Sequence, residues 1–152
     1  MSKLQVKNEA VISAPINSIW AIITDIDLLP KVNPGVLKAT GRMDKEGETR
    51  IVEISINGKN GTFTEKLIEL VPEKKTVWTI EKDTMNMSNM LKDNRFVFIL
   101  EKIDDNKTRI TNETYYQPAN LIAKIMSALM IRRTFGKMQD NMLSNIRTLS
   151  EQ

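Results

Sequence analysis

The sequence predicts an α+β fold in which a seven-stranded antiparallel sheet curls around one long C-terminal helix. Two short helices follow the first strand, and residues 1–152 form a single domain. Three observations predict this. A strand pattern at the start runs straight into a proline-initiated helical segment; residues 36–117 carry only strand patterns joined by tight turns; and residues 120–149 keep helical spacing. Strands and helices do not alternate, which argues against a parallel sheet. An antiparallel sheet needs a cover for its apolar face, and the terminal helix is the only element large enough.

The elements follow in order. Leu4, Val6, Asn8, Ala10 and Ile12 share one face at period two, as in a strand. Pro15 suits a first helical turn, where a missing N–H costs nothing, and Ile16, Ile19, Trp20 and Ile23 continue at helical spacing. Asp25 closes that helix, and "DLLPK" adds one further turn before Pro34-Gly35. "TRIVEISI" alternates into Asn57-Gly58, a strong type I′ hairpin signal. "TFTEKLIEL" stops at the Pro72 turn, "KTVWTIEK" at the Met-bearing loop "TMNMSNM", and "RFVFILEK" turns at "DDNK" into "TRITNETYYQ". Pro118 ends the strands. The last segment reads as one helix from Asn120 to Leu149 with Gly136 as its only weak point, and Ile131, Phe135, Met138, Met142, Ile146 and Leu149 fall on one narrow face.

Composition removes several chemistries. The chain has no cysteine and no histidine, which excludes disulfides, thiol nucleophiles, Cys/His zinc sites and His-based proton shuttles. No metal and no cofactor is expected. The start, "MSKLQVKNEAVI", lacks the apolar core of a signal peptide. "LIAKIMSALMI" at 121–131 is interrupted by Lys124 and is too short to span a bilayer, so a cytoplasmic location is expected. Net charge is +3 with basic residues scattered among acidic ones, and only 5% of residues are aromatic. That composition offers no basic, aromatic-interleaved stripe for nucleic acid.

The stretch I-x-A-P-I-N-S-I-W-A-I-I-T-D-I-D-L-L-P-K at 12–31 resembles the amino-terminal signature of the START/Bet v 1-like superfamily. More narrowly, it resembles the polyketide cyclase/dehydrase and lipid-transport group, often called SRPBCC. Glu65 of "FTEKL", the Pro72 turn, the Thr108 strand ending "YYQP" and the closing "R-R-x-F…M-L-x-N-I" helix extend the resemblance over the whole chain. Val32 departs from it, standing where many relatives carry Trp, so different packing is expected at that end. The resemblance implies a helix-grip fold with a pocket between sheet and helix. It also implies that the pocket opens at the end carrying "NGKNG", "TMNMSNM" and "QPAN", and that it takes a small hydrophobic ligand of lipid, quinone-like or polyketide-like type.

Strand register selects Trp78, Phe96, Phe98 and Asn112 as pocket-facing, joined by Phe135, Met138 and Met142 from the helix. Asn8 and Asn112 are polar residues in apolar phase on strands that neighbour each other in this fold. Either the two amides bond one another, or they orient a ligand's carbonyl or hydroxyl, with Tyr116 adding a phenol. Binding of a hydrophobic ligand, possible transport included, is the first functional reading. A cyclase or dehydratase is the second, and it needs a carboxyl inside the cavity. Of Glu53, Glu65, Glu81 and Glu113, Glu65 shares a face with Phe63 and Leu67 and is the candidate. Docking of the terminal helix is the third. Ile122, Ile125 and Leu129 form a second apolar stripe beside Arg132 and Arg133, which either lies under nearby loops or serves a membrane surface or homodimer contact.

Overall fold

In the computed structural model, which describes residues 2–152, the elements follow the expected order. β1 (Lys3–Ile12) leads through Pro15, at φ −64°, into α1 (Ile16–Ile23). The Asp25 carboxylate accepts from the Asp27 amide (2.9 Å), and a single 3-10 turn passes into α2 (Leu29–Val32). β2 (Val36–Gly41), β3 (Thr49–Ile56), β4 (Lys59–Val71), β5 (Lys75–Asp83), β6 (Leu91–Asp104) and β7 (Lys107–Pro118) follow, with α3 (Met87–Met90) before β6. All seven strands form one antiparallel sheet in the order β1-β7-β6-β5-β4-β3-β2. Asn57 and Gly58 both have positive φ (52° and 80°), as a two-residue primed turn requires.

The sheet bends where the pairing slips. Register shifts occur in the β1–β7, β2–β3, β4–β5 and β6–β7 ladders, and each one adds local twist. β5 and β6 pair only from Lys75↔Ile99 to Trp78↔Phe96. Beyond that point the buried Asn94 side chain fills the gap: Oδ1 accepts from the Ile80 amide (2.7 Å), and Nδ2 donates to the Leu91 and Ile80 carbonyls (3.1 and 3.3 Å). Backbone groups that lost their strand partner are thereby satisfied.

The C-terminal helical segment comprises α4 (Leu121–Met126), a π-helical turn over Ser127–Ile131 and α5 (Arg132–Ser150). Asn120 caps it, accepting from the Ala123 amide at 2.9 Å. The sequence places the weak point at Gly136, but α5 continues through that residue and the irregular turn lies at Ser127–Ile131 instead. Tertiary bonding accounts for the difference. The Ser127 hydroxyl is buried and hydrogen-bonded to the fully buried Tyr116 hydroxyl, so this turn is tied to β7.

The inward face of the helix also differs from the expected line. Ile131, Phe135, Gln139, Leu143 and Ile146 are buried, while Met138, Met142 and Leu149 are half-buried at its margin. Ile12, Ile19, Ile23, Leu100, Ile110, Leu143 and Ile146 pack together where α1 meets α5. Val32 joins this group and its carbonyl accepts from Asn145 Nδ2 (3.0 Å). A second group, Leu29, Val52, Ile54, Phe63 and Ile80, lines the β3–β5 side. No loop covers the second apolar stripe; Ile122, Ile125 and Leu129 are exposed.

Burial holds the Tyr116 phenol above its ordinary pKa of 10.0, opposed by the Ser127 hydrogen bond and the charge of Arg132. Burial, with the Glu113 carboxylate, raises Tyr115 as well. The folded state therefore keeps these protons longer than the unfolded chain does. Their contribution to stability is intact below pH 10.0 and is lost as pH climbs through the raised values. An alkaline absorbance titration is expected to show neither tyrosine ionising at its ordinary pKa, with phenolate appearing only higher or together with unfolding.

Candidate functional site

A cavity of about 100 Å³ lies between the sheet, α2 and α5. Its apolar wall comes from Val52, Ile54, Phe63, Trp78, Ile80, Phe96 and Phe98 on the strands, Leu29 on α2, and Phe135, Met138 and Met142 on α5. Phe96 and Phe135 meet edge to face, with centroids 5.6 Å apart, and so join sheet to helix at one side of the space.

One end of the cavity is ionic. Strand alternation turns Arg50 inward with Val52, Ile54 and Ile56, and turns Glu65 inward with Phe63 and Leu67. Arg50 and Glu65 are cross-strand partners, and both are only 8% exposed. Arg50 Nη2 donates to Glu65 Oε2 at 3.2 Å, and the guanidinium lies 3.7 Å from the Trp78 ring centroid. Cation–π attraction at a desolvated site is worth about 2 kcal/mol. Nη1 reaches only the Met43 sulfur (3.7 Å). Among the described residues, Arg50 Nε is the one fully buried side-chain polar atom without a hydrogen-bond partner. Gly41 permits this arrangement. Its φ is +129°, and a Cβ there would fall 2.5 Å from the Thr49 carbonyl oxygen and 2.7 Å from Arg50 Cα.

The structure brings Glu65, Trp78, Phe96, Phe98, Asn112, Phe135, Met138 and Met142 to the same cavity. Asn8 and Tyr116 stand outside its lining. Asn8 does pair with Asn112 in the β1–β7 ladder, but the two amides do not bond each other. Asn8 Nδ2 donates to Gln139 Oε1 (3.0 Å) and the Gly136 carbonyl (3.4 Å), whereas Asn112 Nδ2 faces the Met142 sulfur (3.8 Å). Tyr116 packs with Leu91, Ile131 and Phe135. Arg50 and Gln139 are lining residues that sequence reasoning missed. Arg50 was visible as a cation in apolar phase. Gln139 Nε2 donates to Thr114 Oγ1 (3.0 Å) and the Val6 carbonyl (3.3 Å), partners with no signal in local spacing.

Two methionines bound the cavity. Met142 also lines a second space of about 30 Å³ beneath α1 and α2, shared with Arg50, Trp78 and Phe98. Met138 also lines an outer groove of about 200 Å³ between the β3–β4 turn and α5. Across that groove, Asn57 Nδ2 donates to Thr134 Oγ1 at 3.2 Å.

Residues 3–151 match the family model described as polyketide cyclase/dehydrase and lipid transport. The chain belongs to that family. Its fold is that of the START/Bet v 1 superfamily. The Zhui aromatase/cyclase from Streptomyces sp. R1128 superposes with a TM-score of 0.81 at 13% identity, covering 99% of this chain and 94% of that one. A START superfamily protein from Mycobacterium smegmatis gives 0.76 at 11% identity, with 96% of each chain covered. Norcoclaurine synthase from Thalictrum flavum, in complex with dopamine and hydroxybenzaldehyde, gives 0.73 at 18% identity, covering 98% of this chain and 86% of that one. No protein of curated function matches the sequence. Family members generally bind small hydrophobic ligands, and identities this low carry the fold alone.

Removing one partner of the buried ion pair strands the other charge in an apolar surround. Glu65→Ala is expected to lower stability by roughly 3–5 kcal/mol in urea denaturation. The double variant Arg50→Met/Glu65→Leu is expected to recover most of that loss, because no uncompensated charge remains.

Proposed function

We propose that this protein binds a small hydrophobic molecule bearing an acceptor oxygen at one end, and carries it in the cavity between sheet and α5. The observation supporting this reading is the junction of an apolar wall with the buried Arg50, whose Nε–H has no acceptor in the protein. A carbonyl, enolate or phenolic oxygen would supply one, and Asn112 on β7 offers a second donor elsewhere in the same lining. A buried donor left unpaired costs about 1–3 kcal/mol, which a correct ligand returns and a pure hydrocarbon does not.

The space of about 100 Å³ is smaller than the roughly 150 Å³ cavity that holds benzene, so any larger occupant displaces side chains. Met138 and Met142 are suited to that. Each has three rotatable bonds and stands between the cavity and a neighbouring space, Met142 on the inner side and Met138 on the groove side. Entry through the groove requires the Asn57–Thr134 hydrogen bond to open. Among the described residues, Glu65 is the only carboxylate in the lining, and its Oε2 already holds Arg50. This favours recognition over proton transfer as the work of the pair.

Native mass spectrometry of the full chain purified from its own host is expected to reveal a bound apolar molecule containing oxygen. In fluorescence titration, 1-anilinonaphthalene-8-sulfonate is expected to bind the parent, and Met142→Trp to abolish binding by filling the space. A parent that takes no dye, combined with a Met142→Trp variant destabilised by about 1–3 kcal/mol, would mean a core with no usable cavity. Conversion of the bound molecule that disappears in Glu65→Gln would transfer the assignment to a cyclase- or dehydratase-type enzyme.

A further inference from the structure

The first turns of the C-terminal helical segment expose most of their large apolar side chains and bury Ala123 and Ser127 in their place. Ala123, Ser127 and Ile131 face inward at 1%, 2% and 3% exposure, whereas Leu121 and Ile122 are 71% exposed and Leu129 is 77% exposed. Ile125 and Met130 add to the same outward surface. Ser127 holds the segment in this orientation through its hydrogen bond to Tyr116 on β7. Large apolar side chains left in water forgo the gain of burial, so a contiguous group of them marks a surface that meets something else.

The charges that this stretch of helix itself carries, from Leu121 to Lys137, all have one sign. Lys124, Arg132, Arg133 and Lys137 are exposed, and no acidic residue occurs between Glu113 and Asp140. Among the described residues, no helix is long and apolar enough to cross a membrane. We infer that this apolar, cation-rimmed surface docks on the headgroup region of an anionic phospholipid bilayer. Large apolar side chains enter the interface while the cations meet lipid phosphates and carboxylates. A second copy of the chain fits less well, because a two-fold contact through the same patch sets four like charges against four. The patch runs on into α5, whose Thr134 and Lys137 line the outer groove. The inference stands whether or not the cavity binds a ligand.

Co-sedimentation of the full chain with phosphatidylcholine vesicles, with and without phosphatidylglycerol, tests it. Binding is expected only when phosphatidylglycerol is present, and it weakens as salt is added. Ile122→Ser/Leu129→Ser is expected to lower the partition coefficient by about tenfold or more. Arg132→Gln and Arg133→Gln are each expected to lower it about fivefold. Leu37→Ser, exposed on β2 away from the patch, is expected to leave binding unchanged. These side chains are exposed, so circular dichroism of every variant is expected to match the parent. A parent that ignores anionic vesicles at low salt would overturn the inference, as would patch variants that bind like the parent. A concentration-dependent mass abolished by Leu129→Glu, without vesicle binding, would assign the patch to a second copy and overturn it equally.

Discussion

Strands about 4.8 Å apart make a seven-stranded sheet roughly 29 Å wide, whereas a helix with its side chains is only about 10–12 Å across. One helix cannot cover such a face if the sheet stays flat. The ladder slips bend the sheet toward α5, α1 and α2 fill the end that remains open, and the residual space is the cavity. The cavity is therefore a remainder of coverage geometry, and its wall is whatever side chains the concave face presents. The inward positions of the paired strands β3 and β4 present an arginine and a glutamate, so the ion pair lies within a space the architecture was bound to leave.

The attachment of α5 is uneven. On the β1–β7 side, Gln139 bonds Asn8, Thr114 and the Val6 carbonyl, and Arg147 donates to the Val11 carbonyl at 2.9 Å. On the β3–β4 side, the single side-chain bond from the hairpin tip is Asn57 to Thr134. Polar bonds have narrow geometry, while methionine packing tolerates many arrangements. The margin where Met138 meets the outer groove is therefore the least polar-bonded part of the sheet–helix contact.

Much of this was legible in the sequence wherever a local rule dominates. Asn57-Gly58 makes its primed turn because only that backbone suits a two-residue hairpin, as the sequence signals. The period-two phase of "FTEKL" put Glu65 on the apolar side, and the same rule applied to "TRIVEISI" places Arg50 there. What escaped depends on partners distant in the chain. Asn94 completes a ladder that stops early, Gln139 looks like an ordinary polar helix residue until β1 and β7 surround it, and Asn8 turns to α5 rather than to the strand partner beside it. The direction of Ile122, Ile125 and Leu129 relative to α5 could not be read at a constant 100° per residue, because the π-helical turn at Ser127–Ile131 intervenes.

That π-helical turn has a consequence for the direction in which the surface faces. A π turn takes in one residue more than an α turn, so everything before it is rotated by about 100° relative to α5. In an unbroken α-helix, Ile122, Ile125 and Leu129 would lie along the flank of the buried face; with the extra residue absorbed, they point away from the sheet. The turn works as a phase shifter, and the bond between the Tyr116 and Ser127 hydroxyls holds its setting. A polar contact hidden in the interior thus determines the polarity of the exterior.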